Sequence, residues 1–77
     1  MTVKIYTTPT CTYCKMAKSY FQKNNIQYEE FNVMENIQAR EEMVKLSHQL
    51  GVPVIVINNE VVVGFNKSLI DKLLKLK

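Results

Sequence analysis

Residues 3–14 read Val3-Lys4-Ile5-Tyr6-Thr7-Thr8-Pro9-Thr10-Cys11-Thr12-Tyr13-Cys14. Val3 to Thr7 alternate apolar and polar side chains, the period of a strand with one buried face. Thr8-Pro9-Thr10 breaks that strand. From about Thr12 to Asn24 the apolar residues shift to helical spacing, at Tyr13, Met16, Ala17, Tyr20 and Phe21. Two cysteines therefore stand where a strand hands over to a helix. Cys11 lies at the helix start and Cys14 one turn further in.

Beyond this junction, Asn24-Asn25 ends the first helix. Gln27 to Val33 reads as a second strand, with Phe31 and Val33 on one face. A second helix starts at Glu35 or Asn36, with Met43, Leu46 and Leu50 as its apolar stripe. Gly51 stops it and Pro53 prevents its continuation. Val54-Ile55-Val56-Ile57 is an unbroken β-branched run, the pattern of a central strand covered on both faces. Asn58-Asn59 makes a tight turn, because Asn tolerates positive φ, and Glu60 to Val63 returns as the hairpin partner. Gly64 interrupts. Asn66 is placed to cap a last helix with Leu69, Ile70, Leu73 and Leu74 on one face. Lys72, Lys75 and Lys77 fall in its closing turns, where cations complement the negative helix end. The order β-α-β-α-β-β-α predicts an α/β fold: a right-handed parallel crossover followed by a hairpin, in one mixed four-stranded sheet with helices on both faces. Tyr6, Tyr20, Tyr28, Phe21 and Phe31 fall on core periodicity and are assigned to packing.

The 77 residues allow one domain, spanning 1–77. A composition of 47% hydrophobic and 22% charged residues excludes disordered and collagen-like chains. No apolar run approaches the ~18 residues of a membrane span. Met1-Thr2-Val3-Lys4 does not begin a signal peptide, so the reading is a soluble, cytoplasmic protein. Ten Lys/Arg against seven Asp/Glu give a net charge of +3, but the lysines are dispersed. They form no basic stripe interleaved with aromatics, so no nucleic-acid surface is read. The charge predicts instead a modest preference for acidic disulfides, including anionic glutathione conjugates.

A bridge between Cys11 and Cys14 closes so short a loop that it removes at most about 2 kcal/mol of unfolded-state entropy. The pair is better explained by chemistry or metal ligation. At a helix start, free backbone N–H groups and the positive end of the helix dipole stabilise a thiolate, the nucleophilic form of cysteine. The i, i+3 spacing brings Cys14 onto the same helical face. Cys11 is thus the candidate attacker on a substrate disulfide and Cys14 the resolver of the mixed disulfide; a thiol or a flavoprotein reductase then restores the dithiol. This chemistry needs no metal and no organic cofactor. Tyr13, between the thiols, is a candidate for shaping the site. A zinc site needs four ligands, and His48, read as an exposed helix residue, is the single addition in sight. A C-x-x-C between a strand and a helix within a β-α-β pattern is a redox signal. The alternative is a metal or iron–sulfur binding module in which two chains each supply thiolates.

Four features together resemble the glutaredoxin family of the thioredoxin fold, over about Val3 to Leu76. Ile5-Tyr6-Thr7 leads into Cys11-Thr12-Tyr13-Cys14, similar to the family's C-P-Y-C. Arg40-Glu41-Glu42-Met43 is similar to its second helix. Gly51-Val52-Pro53 stands at its T-V-P, and Val63-Gly64-Phe65-Asn66 at its G-G loop. The resemblance implies a monomeric dithiol oxidoreductase acting on protein disulfides or glutathione mixed disulfides, with glutathione as co-substrate. It further implies a cis Pro53 beside the sulfurs, and a Val52 backbone that pairs with the substrate chain like an added strand. Gly64, Phe65 and Asn66 would receive the γ-glutamyl carboxylate at a helix start. The chain also departs from the pattern. Thr12 replaces the usual Pro, Thr8 stands where many members have Lys, Val63 replaces the first Gly, and Phe65-Asn66-Lys67 replaces a more acidic stretch. Gly64-Phe65 is also similar to the small glutaredoxin-like hydrogen donors of ribonucleotide reductase, which thioredoxin reductase reduces. The implied electron donor is accordingly glutathione or thioredoxin reductase.

Overall fold

In a computed structural model, which describes residues 2–75, strand β1 (Val3–Thr7) leads into helix α1 (Thr12–Lys23). Then follow β2 (Glu29–Asn32), α2 (Ile37–Ser47), β3 (Val54–Ile57), β4 (Glu60–Val63) and α3 (Lys67–Leu74). Lys77 and Leu76 lie outside the described residues. The strands form one sheet in the order β2-β1-β3-β4. β1 runs parallel to β2, with Tyr6 opposite Phe31, and antiparallel to β3, with Ile5 opposite Ile55. β3 and β4 form the hairpin, and Asn58 and Asn59 take φ values of 48° and 75°. Positive φ at both central residues gives a two-residue turn whose twist matches its strands.

Side chains alternate across the sheet, and each face has its own core. On one face Val3, Ile5, Ile55, Ile57 and Val62 pack with Ala17 and Phe21 of α1 and Ile70 and Leu74 of α3. On the other, Tyr6, Val33 and Val54 pack with Ala39 and Met43 of α2. Helices therefore cover both faces, and the β-branched run at 54–57 occupies an interior strand as expected. Among the described residues no helix is long and apolar enough to cross a membrane.

Three local readings change. α2 ends at Ser47, not at Gly51. His48 adopts left-handed φ of 61°, and its N–H donates to the Val44 carbonyl at 2.7 Å. The reason is packing: Leu46 and Leu50 are 40% and 60% exposed, so neither extends the helix along the sheet. The buried face is Ala39 and Met43, with Val44 packed beside them. In α1 the buried line runs Cys14, Ala17, Phe21, while Tyr13 and Met16 lie on flanking, exposed lines. β2 runs from Glu29, where its ladder with Lys4 starts, to Asn32 opposite Thr7, and leaves out Gln27, Tyr28 and Val33.

Tyr6 is fully buried, yet its hydroxyl donates to Glu42 Oε1 at 2.6 Å. That bond satisfies a group that would be costly to bury alone and ties β1 to α2. Burial first, then the Glu42 carboxylate, pushes the phenol's ionisation far above its usual range. Tyr6→Phe should cost about 1 kcal/mol, read as a lower denaturant midpoint at neutral pH. Met43→Ala should cost about 2–5 kcal/mol, whereas Leu50→Ala should stay within about 0.5 kcal/mol in the same measurement. Equal losses at the two positions would contradict the packing described.

Candidate active site at the Cys11–Cys14 turn

β1 delivers the chain to Thr7, and a turn follows in which the Cys11 N–H donates to the Thr8 carbonyl at 3.3 Å. Cys11 is the N-cap of α1, with extended φ and ψ of −92° and 111°. Its sulfur accepts the Cys14 N–H at 3.1 Å, the role an Asn or Ser oxygen plays at other helix starts. One otherwise unpaired N–H and the positive helix end are thus aimed at Sγ, both favouring negative charge there. The two sulfurs are joined as a disulfide, with Cα atoms 5.2 Å apart, within the ordinary span of such a bond. The partners differ in access: Cys14 is 1% exposed, while Cys11 is half-buried.

The other expected residues fall into two groups. The Val52–Pro53 peptide is cis and Pro53 is buried. The Pro53 carbonyl accepts the Gly64 N–H at 2.8 Å, which ties the entry of β3 to the loop between β4 and α3. Gly64 has φ of +81°, and an added Cβ would meet nothing within 4 Å; backbone conformation, not space, calls for glycine here. Phe65 meets the Tyr20 ring edge-on at 5.8 Å, and Asn66 caps α3 by accepting the Leu69 N–H at 3.2 Å. The second group is Tyr13 alone. It is 62% exposed, and its ring joins none of the aromatic pairs among the described residues. His48 is exposed and ends α2. Among the described residues no group of three or more His, Cys, Asp or Glu is placed to hold a metal ion.

The Glutaredoxin family model matches residues 3–62. The chain belongs to the glutaredoxin family. It is 51% identical over 73 residues to an uncharacterized glutaredoxin-like 8.6 kDa protein in the rubredoxin operon of Clostridium pasteurianum, covering 95% of this chain and 97% of that one. To glutaredoxin 3 of Escherichia coli strain K12 it is 37% identical over 62 residues, 80% of this chain and 75% of the relative. Among solved structures, a mutant of the thioredoxin-like protein BC3987 superimposes with a TM-score of 0.92 at 32% identity, covering 97% and 96% of the two chains. The glutaredoxin-like protein NrdH-redoxin from Escherichia coli does so with 0.85 at 25% identity, covering 95% of each. The fold is thioredoxin-like. A glutaredoxin whose two cysteines lie at bonding distance is a thiol–disulfide oxidoreductase.

Around this glutaredoxin turn lies a polar network that the sequence reading missed. Glu30 Oε2 accepts from the Thr7 hydroxyl and from Lys18 Nζ, each at 2.8 Å. Thr7 ends β1 and is buried, Glu30 lies on β2, and Lys18 follows Cys14 by one helical turn. The only available signal was the i, i+4 spacing of Cys14 and Lys18; Glu30 joins them through strand pairing. The Lys18 ammonium, helped by the Thr7 hydroxyl and opposed by partial burial, holds the Glu30 carboxyl below its usual range. A lowered folded-state value means stability that is present above the ordinary glutamate range near pH 4.5 and is lost as pH falls through the folded value. Glu30→Gln should therefore flatten the acid side of the stability–pH curve. An unchanged acid limb in denaturant titrations at several pH values would contradict the pairing.

Proposed function

We propose that the protein reduces protein disulfides or glutathione mixed disulfides, with Cys11 as attacker and Cys14 as resolver. The observation that carries this reading is the asymmetry of the pair: the half-buried Cys11 sulfur receives the helix-start N–H, and Cys14 is enclosed. The Cys11 thiolate attacks one sulfur of the substrate disulfide, and the other leaves as a thiolate that takes up a proton. Cys14, having lost its proton, then attacks the Cys11 sulfur. The second substrate thiolate leaves, and two electrons have passed to the substrate. The Cys11–Cys14 disulfide is reduced in turn by two thiols or by a flavoprotein reductase, and this chain's own part in both steps is carried by its two thiols.

The remaining roles follow the same reading. Val52 offers its backbone to the substrate chain, beside a cis Pro53. Gly64, Phe65 and Asn66 receive a glutathione carboxylate at the start of α3, where backbone N–H groups are free. Tyr13 shapes the opening between the thiols. The protein acts as one cytoplasmic glutaredoxin-like domain and a monomer. Similarity to glutaredoxin 3 favours glutathione as donor, whereas similarity to NrdH-redoxin, studied for its thioredoxin-like activity profile, favours a protein reductase.

Oxidised protein, supplied with a disulfide substrate and either glutathione with its reductase or thioredoxin reductase, should consume NADPH with at least one donor. Cys11→Ser should abolish turnover. Cys14→Ser should still trap a mixed disulfide, visible as added mass. Full disulfide reduction by Cys11→Ser, or no turnover with either donor, would refute the assignment.

A further inference from the structure

α1 and α3 lie on the same face of the sheet, and an open groove of about 470 Å³ runs along α1 beside the loop that leads into α3 and the first residue of α3. Met16, Tyr20 and Phe65 supply its apolar lining, and Lys15, Lys23 and Lys67 its charged groups. None of its lining residues is acidic. The neighbouring Asp71 accepts the Tyr20 hydroxyl and lies 3.9 Å from Lys67 Nζ; one carboxylate beside three lysines leaves the groove with a positive excess. Lys67 also sits 5.2 Å above the Tyr20 ring. The apolar hollow beside α2 differs: there Arg40 and Lys45 are offset by Glu41.

The groove opens at Thr12, next to Cys11. Lys15 follows Cys11 by about 6 Å of helix rise and Lys23 by about 18 Å, at 1.5 Å per residue. An extended chain covers those spans in about two and five residues. We propose that this groove seats an acidic, apolar segment of a protein substrate that flanks its disulfide cysteine. The inference rests on the oxidoreductase reading above and names the class of protein substrate that reading leaves open. Met16 adapts to varied apolar side chains, while the three ammonium groups steer carboxylates and speed encounter in a salt-dependent way.

The test uses two peptides with Leu throughout and either Glu or Lys two and five residues to each side of a single cysteine. That cysteine carries a thionitrobenzoate disulfide. Attack by reduced protein on the peptide sulfur releases the coloured thiolate, and each rate is divided by the rate with dithiothreitol to remove intrinsic reactivity. The Glu peptide should react about tenfold faster than the Lys peptide at low salt, and the ratio should collapse in ~0.5 M NaCl. Lys23→Glu should lower the ratio several-fold. The same reversal at Lys45, across the sheet on α2, should leave it within about twofold, because an equal change in net charge then lies far from the groove. Equal normalised rates for the two peptides, or equal effects of the two reversals, would overturn the groove while leaving the oxidoreductase standing. Failure of both peptides to react would overturn both.

Discussion

Parallel pairing of β1 with β2 obliges the chain to leave one end of the sheet and return to the other, and α1 is that crossover. The chain therefore turns at the edge where β1 ends, over residues 8–11, before the helix begins at Thr12. Cys11 stands just before its first residue and serves as its cap. A sulfur in a cap receives a backbone N–H that would otherwise be unpaired, so the requirement that starts the helix also aims a hydrogen bond at the Cys11 sulfur.

Three sets of contacts tie together the elements that flank this turn. Below it, Glu30 on β2 gathers the Thr7 hydroxyl and the Lys18 ammonium. Across the sheet, antiparallel β3 brings in Pro53, whose carbonyl anchors the loop at Gly64. Beside α1, Tyr20 meets Phe65 and bonds Asp71, so that α3 and the loop before it lie against the helix that carries the cysteines. Each joins separate elements of the fold, and those made through β2 and β3 depend on a strand register that a one-residue slip would destroy.

Much of the fold was legible in the residues. The β-branched run at 54–57 announced a strand buried on both faces, Asn58-Asn59 announced its turn, and Asn66 its helix cap. These signals are local, since each reflects a backbone preference or a short apolar period. The readings that shifted concern amphipathic faces. Leu46, Leu50, Tyr13 and Met16 match a helical stripe by spacing, but spacing does not say how wide a face the sheet covers. Met43 and Ala39 suffice to bury α2, and Cys14, Ala17 and Phe21 form the buried line of α1. Among the expected site residues, the cysteine pair was legible because its spacing and its strand-to-helix setting both act over one helical turn.

The sequence by itself determined the order of elements, the alternation of the sheet and the thiol pair at a helix start, because all three follow from short-range periodicity and capping. The tertiary structure alone decided which thiol is open and which enclosed. It joined Glu30 to Thr7 and Lys18, held the Gly64 loop against Pro53, and set three lysines along one groove. Those arrangements depend on strand order and on helices meeting across the sheet, which no local pattern of residues encodes.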